Sequence, residues 1–270
     1  MSNYDRNVFG YGAGVARVGA AEYDLGLRSY MLGIYNHMVI GLAITALVAL
    51  GVGMAATTTD PASAFRTAQG AAASIGGGRY LTGFGYALFA SPLKWVLMLA
   101  PLAFVLVLSF RFERMSPTAL LGTFWAFAAT MGLSMGSIFL IYKIGSIVQV
   151  LFITAAAFGG LSLFGYTTKR DLSGFGKFLI MGLIGLIIAS LVNIFLQASA
   201  LQFAINVIGV LIFAGLTAYD TQRLKEEYDV IAGSDAGLIQ KYSLMGALTL
   251  YLNFINMFQM LLALFGQRQE

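Results

Sequence analysis

Cysteine is absent from the chain, which removes disulfides, thiolate metal ligands and cysteine nucleophiles. Histidine occurs once, at His37, at the membrane edge of the first long apolar run. A single histidine there reads as packing, not as a ligand or catalytic base. Charge is scarce too: Asp, Glu, Lys and Arg make up 10% of the 270 residues. Soluble domains run near a quarter charged, so a water-solvated surface is excluded for most of this chain. The net charge of +4 and the pI near 9.3 suit a membrane protein with basic loops and give no argument for nucleic acid. Residues 1–30 hold no short apolar core before a cleavage site, so no signal peptide is expected and the first spanning helix would act as the signal.

What the chain has in abundance is apolar sequence: 59% of residues are hydrophobic and the mean hydropathy is +0.80. In hydrocarbon every backbone polar group must be satisfied internally, so a helix of about 20 apolar residues is the unit that crosses. Seven such runs stand at roughly 36–56, 92–110, 117–142, 145–166, 176–197, 201–219 and 244–265. The fold class is therefore an all-α integral membrane protein with seven transmembrane helices. Residues 1–30 read as a flexible cytoplasmic tail, and residues 31–270 as the transmembrane domain. A long external loop at about 57–91, rich in Gly, Ala, Ser and Thr, is expected to be partly disordered. The fifth and sixth runs meet through Gln197 and Ser199, so they form an antiparallel hairpin.

Lys and Arg in the loops set the orientation. One side carries Arg6, Arg17, Arg28, Arg111, Arg114, Lys169, Arg170, Lys177, Arg223, Lys225 and Lys241; the other carries Arg66, Arg79, Lys94, Lys143 and Arg268. The excess places the N-terminus in the cytoplasm and, after seven spans, the C-terminus outside. Asp220, closing the sixth run, then lies near the cytoplasmic side, with Asn253 two to three turns into the seventh helix. The C-terminal end of a helix is its negative end, so an acid there calls for a cationic partner. The plain reading is an interfacial acid held by Arg223 or by water; the candidates for a specific cationic partner are Arg111 and Arg114, which lie on the same side.

Other intramembrane polar residues include Gln149, Asn193, Asn206, Asn253, Asn256 and Gln259. The last three recur every third residue and form one slowly turning stripe on the seventh helix. That stripe either holds the bundle together by interhelical hydrogen bonds or lines a hydrated path. Gly132–Leu133–Ser134–Met135–Gly136 matches a helix-packing spacing and also a nucleophile elbow. The elbow requires a strand-to-helix turn, which an apolar run does not supply. Gly10–Tyr11–Gly12–Ala13–Gly14 follows no strand and is a very weak nucleotide-loop signal.

Ala218–Tyr219–Asp220–Thr221–Gln222 and Leu250–Tyr251–Leu252–Asn253–Phe254–Ile255–Asn256 together resemble the signature of the Bax inhibitor family, and Leu27–Arg28–Ser29–Tyr30–Met31 with Tyr35–Asn36 resembles its bacterial branch. The resemblance covers about 28–266. It implies a seven-helix bundle with the last helix central, wrapped by the other six, and a pH-sensitive calcium leak channel. Two aspartates would share a proton near the cytoplasmic end of the pore, with an arginine after the second helix pairing with the first. Asp220 matches the first aspartate. Counting back from Gly132 places Arg114 at the arginine position, with Arg111 close enough to compete. At the second aspartate this chain has Asn253. An aspartate beside an amide cannot titrate as a coupled carboxylate pair, and one charge is lost from any calcium site.

The leading expectation is a cation leak channel of the bacterial inner membrane with calcium as the transported ion. Asp220, Asn253, Arg114, Arg111 and Asn256 would form its gate and ion pathway, and Asp220 would be the transient calcium contact. No cofactor is expected; the partners are the lipid bilayer and the calcium ion. The alternative is a regulatory binding partner of a membrane-bound protease, without transport. Enzymatic readings fare worst: the last run lacks a Schiff-base lysine, and a hydrolase would need Ser134 and His37 in contact.

Overall fold

The computed structural model describes residues 8–68 and 70–269, with backbone alone for residues 8–21. Seven helices are long and apolar enough to cross a membrane. They are α1 (Val8–Ala56), α3 (Leu93–Arg111), α4 (Pro117–Met135), α6 (Ile144–Thr167), α7 (Ser173–Leu196), α8 (Ser199–Ile231) and α9 (Ala236–Phe265). Two short helices, α2 (Gly83–Phe89) and α5 (Ile138–Ile141), sit between them. Local chemistry sets several starts. Ser116 caps α4 with Pro117 at its first turn, and the Asp235 side chain accepts the Leu238 N–H to cap α9.

The last helix is central. Of its most apolar window 56% is buried inside the bundle, against 11% for α3 and 17% for α7. α9 packs on α8, α1, α6 and α4, while α3 packs chiefly on α4 and α7 on α8. The expected wrapping by six helices is thus an inner ring of four with two outer helices facing lipid.

Gly132 and Gly136 press α4 against α1. A Cβ on Gly132 would crowd the Thr45 carbonyl and Val48, and one on Gly136 would crowd Val52. This is the helix-packing reading of that motif. Ser134 points the other way and donates to the Leu97 carbonyl of α3. His37 bonds the Gly33 carbonyl of its own helix at 2.7 Å, so Ser134 and His37 form no nucleophile–base pair.

Where α1, α4 and α9 meet, Thr45 Oγ1 donates to the Ala128 carbonyl at 2.8 Å. Its lone pair accepts the Tyr251 hydroxyl at 2.7 Å. Tyr251 is fully buried, edge-on to Phe124 and Phe127. Tyr251→Phe is expected to lower stability by about 1 kcal/mol in detergent unfolding, the net worth of one buried hydrogen bond, with the aromatic packing kept.

Helix ends differ from the apolar runs. α8 continues twelve residues past Tyr219, because Leu224, Tyr228 and Ile231 recur at helical spacing and are buried. They pack on the first part of α1, where Tyr23 and Tyr30 lie 5.5 and 5.3 Å from the Tyr228 ring. Over residues 8–30 this replaces the expected flexible tail with helix. The backbone is helical from Val8, and Leu27 and Tyr30 belong to the core; residues 1–7 lie outside the described residues. α9 likewise starts at Ala236 rather than near 244, which puts Asn253 almost five turns into it.

The α7–α8 hairpin forms as expected. It turns through Gln197 in the left-handed region (φ 49°). Asn193 accepts the Ala198 N–H and donates to Gln202, which donates to Asn206, so two intramembrane asparagines are used in closing this turn.

The described part of the long loop, 57–68 and 70–91, carries regular structure in place of the partial disorder expected. Strands β1 (Thr57–Thr58), β2 (Ser74–Gly76) and β3 (Arg79–Leu81) form an antiparallel sheet of order β1-β3-β2, with Thr57 opposite Leu81 and Ser74 opposite Tyr80. Gly76, Gly77 and Gly78 adopt positive φ at the tight β2–β3 turn, where side chains are disfavoured. Arg79 donates to Thr57 Oγ1 within the sheet and ties the sheet to the bundle through the Phe139 carbonyl and Gln269.

Candidate functional site

Asp220 lies in mid-helix on α8, 5% exposed. It is not at a helix end, so the dipole argument for a cationic partner does not apply. Its environment does supply partners. Oδ2 accepts a hydrogen bond of 2.7 Å from Asn253 Nδ2 of α9, and Oδ1 lies 3.2 Å from an Arg223 guanidinium nitrogen. Arg223, three residues on, shares the face of α8 that carries Asp220. Its side chain is 47% exposed, so the pair is partly screened and anchors weakly. The Asn253 bond, between two residues each 5% exposed, is the buried link between α8 and α9.

The arginines expected to latch Asp220 are elsewhere. Arg111 ends α3 and Arg114 ends the 3-10 turn after it; both are exposed. Among the described residues the one ion pair is Arg223–Asp220. The polar stripe on α9 splits as well. Asn253 faces Asp220, Asn256 donates to its own Leu252 carbonyl beside α7 residues, and Gln259 is exposed. Three-residue spacing turns the stripe around the helix, so it lines no single path.

Around Asp220 the structure adds residues that the sequence reading gave no role. Thr221 donates to the Thr217 carbonyl at 2.8 Å and accepts from Ser162 of α6 at 3.0 Å. Ser162 in turn accepts from the Tyr35 hydroxyl of α1. This hydroxyl chain ties α1, α6 and α8 one residue from Asp220. α6 comes close enough because Gly165 has no Cβ, which would overlap the Ala218 carbonyl. Gln222 holds the α6–α7 loop with both ends of its amide, accepting from Leu172 N and donating to the Arg170 carbonyl, each at 2.8 Å. In that loop, hydrogen bonds from Ser173 hold Asp171 below the usual carboxylate range. Thr221 and Gln222 stand in the quoted helix-end motif and Tyr35 in the quoted N-terminal stretch, though without a role; Ser162 carries no signal in a single sequence.

Asp220 is the only acid at this contact, and no cluster of three or more His, Cys, Asp or Glu gathers among the described residues. Both carboxylate oxygens are engaged. The arrangement therefore acts as a closed polar clasp between two helices.

A carboxylate clasped by an amide and a guanidinium inside seven apolar helices defines an integral membrane protein with an intramembrane polar site. The family model described as "Inhibitor of apoptosis-promoting Bax1" matches residues 27–270. The chain belongs to the Bax inhibitor family. It is 46% identical over 247 residues to an uncharacterized protein of Caulobacter vibrioides, covering 92% of each chain. It is 42% identical over 244 residues to the inner membrane protein YbhL of Escherichia coli, covering 90% of this chain and 94% of that one. An uncharacterized protein of Rickettsia prowazekii is 40% identical over 248 residues, covering 92% and 93%.

Proposed function

We propose that the chain is a cation leak channel of the bacterial inner membrane, with calcium as the ion and no catalytic activity. The observation that carries this reading is the 2.7 Å Asn253–Asp220 bond, a buried polar link between the central helix and α8. A costly intramembrane carboxylate placed there suits a gate. Asp220 is the gate carboxylate and Asn253 its partner; the latch is Arg223 in place of Arg114 or Arg111. Calcium would contact Asp220 transiently, and only after Arg223 or Asn253 lets go, since hard cations want free oxygens. The name of the relative YbhL supports the inner membrane, and the loop charges support a cytoplasmic N-terminus.

The test is calcium flux into liposomes holding the purified chain. Asp220→Ala removes a hydrogen bond to a charged group, which shifts a closed–open equilibrium toward open by about tenfold, read as faster flux. Absence of flux in the unaltered protein at every pH would sink the proposal.

A further inference from the structure

We infer that the groove between α1 and α6 is a binding site for a phospholipid with an anionic headgroup, taken from the leaflet at the Arg28 end of the bundle. α1 and α6 both pack on the inner helices, α1 chiefly on α4 and α9 and α6 on α8 and α9, but they scarcely pack on each other. The ring around the central helix is open along this seam. Two cavities fill it. One, of about 630 Å³, is walled by Leu27, Met31 and Leu32 of α1 and by Phe158 and Leu163 of α6. The other, of about 460 Å³, lies further along the seam and reaches Phe254 and Phe258 of α9. The walls are apolar enough for acyl chains, and the seam opens sideways, where lipid is the solvent.

The mouth of the larger cavity carries the headgroup chemistry. Arg28 lines it, is exposed, and has no ion pair among the described residues. Tyr166 lines it as well, with the Lys225 ammonium 3.2 Å from its carbonyl and 5.1 Å from its ring centroid. The loop that follows holds exposed Lys169 and Arg170. Arg28, Lys225, Lys169 and Arg170 thus outnumber the acids near them: Asp24 in the mouth, Asp171 in the loop, and Asp229, which shares Lys225's face of α8 and accepts from the Tyr23 hydroxyl. Basic pockets between helices at a membrane surface select anionic headgroups. The floor of the cavity holds Tyr35 and Ser162, whose hydroxyl chain ends one residue from Asp220. A lipid in the groove therefore rests on the helices that carry the clasp.

The experiment purifies the full chain from membranes containing phosphatidylglycerol and phosphatidylethanolamine and counts retained lipid by native mass spectrometry. The unaltered protein is expected to keep phosphatidylglycerol. Gly159 lines the groove, and a Cβ there meets open space, so Gly159→Leu places a side chain in the groove with no clash at its Cβ. It should strip the bound lipid. Gly160→Leu, also in open space but not lining the groove, should leave it in place. Both changes favour the helix, and equal melting temperatures would show that both variants fold. Arg28→Ala, at an exposed position, should cut the preference for phosphatidylglycerol about fivefold. Lipid retention unchanged by Gly159→Leu, or equal retention of the two lipids by the unaltered protein, would overturn the assignment. The lipid count does not depend on flux, so it stands or falls apart from the channel proposal.

Discussion

Asn253→Leu is expected to destabilise the folded chain by about 2–3 kcal/mol, because it strands a buried charge acceptor. Leucine keeps asparagine's branched outline and is the larger of the two, so no cavity opens and any added cost is overpacking. What is lost is the donor at 2.7 Å from Asp220 Oδ2. Water cannot replace it, since both residues are 5% exposed. Arg223 cannot fully replace it either, because the guanidinium sits on Oδ1 and is half in solvent. The decisive comparison is the double variant Asp220→Leu with Asn253→Leu. Removing both partners removes the unsatisfied group as well, so the pair should cost less than the single change. Unfolding in detergent, followed across the cycle, gives the coupling. If the double variant loses as much as the sum of the two single changes, the clasp does not hold α8 to α9.

How far the sequence foretells this site depends on which physical quantity each feature rests on. The seven spans were legible because length and hydropathy alone decide what crosses a bilayer. Their ends were not, because a helix stops where its hydrogen bonds and packing stop. Arg223, Lys225, Glu226 and Glu227 look like a loop by charge, yet Leu224, Tyr228 and Ile231 keep that stretch helical by packing. The meeting of Asp220 with Asn253 was legible from motif resemblance. The identity of the cation was not. Arg114 fits by resemblance, but Arg223 shares a helix face with Asp220 and needs no tertiary closure to reach it. The long loop misled for a related reason. Its Gly, Ala, Ser and Thr composition reads as flexible, whereas its order comes from strand pairing and from Arg79 holding three partners.

Asn253→Asp is expected to make calcium flux depend more steeply on pH than it does in the unaltered protein. In that variant a second carboxylate replaces the amide at a contact of 2.7 Å. Two carboxylates so close titrate as one unit, and the pair has two distinct states in play. With one proton it keeps an O–H donor in place of the amide and carries a single negative charge. With none, it carries two like charges in contact on facing helices, with nothing left to donate. Those states differ by one unit charge at the α8–α9 contact, in a medium where such repulsion is weakly screened. The helices must respond, and flux with them. The natural pair cannot do this: the amide does not titrate, so the donor to Asp220 persists at every pH. Flux into liposomes, measured at closely spaced pH values for both proteins at one ionic strength, checks the slope. Superimposable profiles would show that the contact between Asp220 and residue 253 does not control the pathway, and the gate would then have to be sought elsewhere in the bundle.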